Sequence, residues 1–115
     1  MNKTAPALSA SVAAVASLGA AADLARQIYM SALAANPNAD LSQLYSKEMK
    51  AAALWSDAES KVLANDPAAT KAKQALDSAV ANARKDLDGL KGLTEALTAA
   101  DKLLKLATTL SKFLM

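Results

Sequence analysis

Neither cysteine nor histidine occurs in this chain, and glycine, proline and the aromatic residues number only three, three and four among 115 positions. Without cysteine there is no disulfide and no thiolate metal site, so redox chemistry says nothing about the compartment. Without histidine the commonest general base and the commonest zinc ligand are both missing. Scarce glycine and proline leave few turns, and scarce aromatics argue against strands, which favour them. Charge of one sign is lacking too. The segments 1–35, 36–65, 66–92 and 93–115 carry net charges of +1, −1, +1 and +1. No clustered basic footprint is present, so nucleic acid is not an expected partner.

What the chain has in quantity is alanine (30 residues) and leucine (18). Both are strong helix formers. A chain of this length with few turns is therefore expected to form one helical domain, 1–115, with long elements. The alanine content also suggests a GC-rich bacterial source. The uncharged stretch from Thr4 to Ala22, preceded by Lys3 and followed by Asp23, offers Ala20-Ala21-Ala22 as a signal-peptidase site. Its large apolar residues are only Leu8, Val12, Val15 and Leu18. That is too few for a membrane span, and an alanine-rich first helix in a cytoplasmic protein is the favoured reading.

Helix 1 is expected from about Pro6 to Ala35, with Thr4 or Ala5 at the cap and Pro6 in the first turn. Its apolar line reads Leu8, Val12, Val15, Gly19, Ala22, Ala25, Tyr29 and Leu33, with Ile28 and Ala32 beside it. Asn36-Pro37-Asn38 ends it. Helix 2, over 41–64, has Asp40 as cap with Gln43 three residues on. It turns Leu41, Leu44, Tyr45, Ala51, Ala52, Trp55, Ala58 and Val62 inward, and Asp57 is spaced to pair with Lys61 outside. Helix 3, over 67–88, starts with Asp66 as cap and Pro67 as its first residue. It buries Leu76, Val80, Ala83 and Leu87, and pairs Lys73 with Asp77 and Arg84 with Asp88.

Gly89 and Gly92 decide the architecture, since each would cost about 1 kcal/mol inside a helix. A break there, with Thr94 capping a fourth helix over 94–114, gives an all-α, antiparallel up-down-up-down four-helix bundle. The alternative is three helices, with one long helix over 67–114 packed in an oligomer. Such a helix would measure about 72 Å at 1.5 Å per residue, more than helices 1 and 2 could cover.

Few residues invite chemistry. Asp86-Leu87-Asp88-Gly89 with Glu95 resembles part of a calcium loop, but Arg84 stands where a carboxylate is obligatory and Lys91 where an apolar residue belongs. A helix end with Gly89 in a left-handed turn is the expectation. Trp55, Tyr29 and Tyr45 are read as the main fillers of an alanine-rich core. Glu48, Glu59 and Glu95 without histidine exclude the usual di-iron bundle. No phosphate-binding glycine loop or nucleophile elbow occurs. No cofactor, metal or catalytic residue is therefore assigned.

One segment exceeds what a bundle helix needs. From Lys91 to Met115 two adjacent seams run together: Leu97, Ala100, Leu104, Ala107 and Leu114, then Leu103, Leu106, Leu110 and Phe113. The second seam is a candidate partner-binding face. The expected function is accordingly a non-enzymatic protein–protein interaction module, such as a small adaptor, assembly factor, secretion-linked partner or inhibitor, binding another protein or a second copy of itself. The alternative is a peripheral membrane or lipid-binding protein, with the same helix as a cationic amphipathic element presenting Lys102, Lys105 and Lys112 to anionic headgroups.

Overall fold

A computed structural model describes the backbone of residues 4–115 and the side chains of residues 10–115. The cap at Thr4 or Ala5, the first-turn Pro6 and the apolar Leu8 fall outside the described side chains, and Lys3 outside the described residues. Four helices follow one another: α1 (Thr4–Ala35), α2 (Ser42–Ala58), α3 (Pro67–Lys85) and α4 (Leu93–Ser111), with a 3-10 turn at Leu87–Leu90 between the last two. They alternate in direction, forming the up-down-up-down bundle, 57 × 23 × 16 Å overall.

The helix starts and stops have local causes. At Asp66 the side chain accepts a hydrogen bond from the Ala68 N–H and Pro67 takes the first helical position, as its sequence promises. Leu41, not Asp40, occupies the cap of α2; Asp40, one residue before it, accepts from the Ser42 N–H at 3.0 Å, which holds its carboxyl below the usual carboxylate range. The glycines do break the helix, but differently from expectation. Gly89 sits in the 3-10 turn with no positive φ, and Gly92 rather than Thr94 occupies the cap of α4. Because α3 ends at Lys85, Asp88 lies outside it, and its nearest cation is Lys91 at 3.9 Å rather than Arg84.

Helix α2 stops at Ala58, six residues short of the expected end. The reason is a backbone exchange at the end of the bundle. The Val62 N–H donates to the Met115 carbonyl and the Met115 N–H to that of Val62, both at 2.9 Å, while the Ala64 N–H reaches Phe113 at 2.7 Å. These bonds set Leu63 antiparallel to Leu114, and the Leu63 N–H donates to the Ser11 hydroxyl of α1 at 2.8 Å. Extended backbone bonded on both sides competes successfully with two more helical turns. At the opposite end the Asn36 amide donates to the carbonyls of Ala32 and Lys91, joining the end of α1 to the start of α4.

The helices are not arranged around the bundle in chain order. Both α1 and α4 touch all three other helices, whereas α2 and α3 do not touch each other. The segment from Glu59 to Asp66 therefore crosses the end of the bundle diagonally. The inner pair is lined by small residues, Ala14, Ala21 and Ala32 from α1 with Ala96, Ala100 and Ala107 from α4, all almost fully buried. Small residues at a helix crossing let the two axes come close. Leu18, Leu24, Ile28, Leu44, Leu76, Leu103 and Leu110 supply the bulk, each contributing about 1.5–3 kcal/mol on burial.

Candidate interaction surface

The wide apolar face of α4 is spent inside the bundle. Leu103 and Leu110 are buried, and Leu106 and Phe113 are half-buried against the same core. These four do not form an open partner-binding face. The cause is the position of α4: a helix with three neighbours needs an apolar arc wide enough to meet all of them. The opposite side presents Lys102, Lys105 and Lys112 to solvent, together with Thr98 and Thr109. With its apolar arc turned inward, α4 offers a lipid surface its lysines but no apolar side. Among the described residues no helix is long and apolar enough to cross a membrane.

Lys105 has a structural partner. Asp101 accepts from it at 3.0 Å and from Lys47 of α2 at 3.1 Å, so one carboxylate bridges α2 and α4. The hydrogen bonds from Lys105 and then Lys47 hold the Asp101 carboxyl below its ordinary range.

The exposed apolar residues lie elsewhere. Apart from Met115, every large apolar side chain in the open among the described ones belongs to α1, α2 or the segment after α2: Val12, Met30, Leu33, Tyr45, Met49, Trp55 and Val62. This reverses the expectation that Trp55 and Tyr45 fill the core and that Val62 points inward. It also rotates α1. The buried stripe is Ala14, Leu18, Ala21, Ala25, Ile28 and Ala32, not the line through Val12 and Leu33.

Trp55 is 40% exposed and stands over Gly19. A Cβ at position 19 would come within 2.9 Å of its indole, so glycine is what lets the ring rest on α1. Farther along the bundle, the rings of Tyr29 and Tyr45 meet at 5.5 Å, tilted by 56°, with Tyr45 still half in solvent. Met49 follows Tyr45 by one turn on α2, and Met30 and Leu33 share a face of α1. Between these apolar groups Asp23 accepts from Gln27 at 2.7 Å, while exposed Arg26 makes no ion pair among the described residues. At the far end a cleft of about 240 Å³ lies among Ser11, Val12, Val15, Glu59, Lys61 and Val62. That is smaller than the usual small-molecule pocket.

No three acidic side chains gather into a metal-binding group among the described residues, the Asp86–Glu95 segment included. In comparisons with known proteins no family model matches the chain, and no curated protein or solved structure is detectably similar to it.

Proposed function

We propose that the protein is a non-enzymatic interaction module that docks a protein chain through the outward faces of α1 and α2. The observation that supports this is the segregation of large exposed apolar residues. Trp55, Tyr45, Met49, Met30 and Leu33 stand open on one pair of helices, while every leucine from Leu76 to Leu114, on α3, the 3-10 turn, α4 and the residues after it, is buried or half-buried. Tryptophan, tyrosine and methionine are the side chains enriched where proteins meet. A concentration of exposed apolar surface on one side of a small protein is characteristic of an interaction site.

The reading is tested by site-directed photo-crosslinking in cells of the native source. A photoreactive residue placed at Tyr45 or Met49 is expected to give adducts of discrete mass. The same probe at Lys71 or Lys102, exposed on the other half, is expected to give none. Adducts from neither half, or equally from both, would overturn the reading.

A further inference from the structure

One carboxylate oxygen on the seam between α1 and α2 lacks a donor. Glu48 of α2 is half-buried, and its Oε2 is sealed from solvent yet accepts no hydrogen bond among the described residues. Leaving a buried acceptor unpaired is costly, and in folded proteins nearly all such atoms find a donor. The seam around it is made of alanine, with Ala22 and Ala25 of α1 packed against Ala51. The adjacent cation on α2, Lys47, is already held by Asp101 of α4.

The donor that stands level with Glu48 is Arg26. Two contacts fix how α1 and α2 lie together: Gly19 beneath Trp55, and Tyr29 against Tyr45. Ten residues separate the two contact positions on each helix, so the pair runs antiparallel and in step. Arg26 comes three residues before Tyr29, and Glu48 three residues after Tyr45. Each is also seven residues from the second contact on its own helix, which places both on the sides that the helices turn toward each other. Arg26 is the only cation of α1 among the described residues, and it stands exposed. The acid one turn before it, Asp23, is engaged by Gln27 at 2.7 Å. An arginine reaches across such a seam by laying its apolar stem on the alanines and presenting its N–H groups beyond them.

We infer that Arg26 is a strap: its side chain folds over the α1–α2 seam and donates to the Glu48 carboxylate, and the arrangement described above is the open one. Closed, the strap satisfies the sealed oxygen and ties α2 to α1 between the two ring contacts, as Asp101 ties α2 to α4. Open, it leaves the middle of the seam between Tyr45 and Trp55 uncovered. That these two arrangements cover and uncover a docking site rests on the reading of the α1–α2 side as a docking surface.

The strap is tested on the protein alone. Arg26→Gln is expected to lower Tm by a few degrees in the unaltered chain and to leave it unchanged in the Glu48→Gln background, because the arginine contributes only through that carboxylate. Exchanging the charges, Arg26→Glu with Glu48→Arg, should recover most of the loss that Arg26→Glu brings by itself. In nitrogen-15 NMR the Arg26 Nε–H should exchange with water several-fold more slowly in the unaltered protein than in Glu48→Gln, a difference that a general loss of stability would not confine to one side chain. An unchanged Tm in Arg26→Gln, the same fall in both backgrounds, or an Nε–H indifferent to Glu48 would each overturn the inference. The photo-crosslinking outcome is separate: adducts from Tyr45 or Met49 without the coupling would leave the docking surface standing and remove the strap, and the coupling without adducts would do the reverse.

Discussion

Helices α1 and α4 hold equivalent places, each in contact with the other three helices, yet their remaining faces differ completely. That of α4 is Thr98, Lys102, Lys105 and Thr109; that of α1 is Val12, Ala16, Gly19, Asp23, Arg26 and Met30. A helix with three neighbours needs a wide apolar arc, and in α4 the arc stops where the neighbours stop. In α1 the apolar residues continue around the helix. The difference separates apolar surface required by the fold from apolar surface in excess of it, and locates the excess on α1 and the adjoining α2.

The largest effect expected from this contrast concerns paired aspartates. Leu106→Asp with Leu110→Asp places charge in the core and should unfold the protein, a loss above about 4 kcal/mol, read as loss of the cooperative thermal transition by circular dichroism. The counterpart on α1, Met30→Asp with Leu33→Asp, should keep both helicity and a cooperative transition. If the α4 variant stays folded, its seam is not core and the contrast between the two helices fails.

A smaller effect distinguishes two glycines. A methyl group added at Gly89 would meet nothing within 4 Å, and the backbone there lacks a positive φ. Gly89→Ala should therefore raise stability by about 0.4–1 kcal/mol, visible as a higher Tm. Gly19→Ala gains similar helix propensity but must push Trp55 from its seat. Its Tm should not rise, and tryptophan emission should shift to the red. A gain in Tm at position 19 with unshifted emission would mean that the indole does not depend on that glycine.

The smallest effect lies at the α2–α4 bridge. The folded Asp101 carboxyl titrates below its unfolded value, so its stabilisation is present above the ordinary aspartate range and is lost as pH falls through the folded value. Asp101→Asn should therefore lower Tm modestly at neutral pH, and the gap from the unaltered protein should close in acid. A gap independent of pH would show that the bridge through Lys47 and Lys105 is not what Asp101 contributes.

Strong leucine periodicity made the C-terminal half readable: Leu76, Val80, Leu103 and Leu110 stand in the core, and the break at Gly89–Gly92 is real. The candidate site was misplaced because arc width records how many neighbours a helix has, not whether they belong to its own chain. In α1 the reading slipped by part of a turn, because alanines spread all round the helix and mark no face. Exposure of Trp55 depended on Gly19 lying opposite it, a pairing across 36 positions that no local pattern announces.

By itself the sequence determined four helices, their alternating directions and the place of the break, because helix propensity, proline and glycine act within a few residues. Only the tertiary structure decided that α2 lies beside α4 and not α3. The eight-residue crossover is long enough to span the bundle's end, and it is fixed there by Ser11 and the backbone of residues 113–115. That spatial order gives α4 its third neighbour and turns its second seam inward, while α2 rests Trp55 on α1 at Gly19.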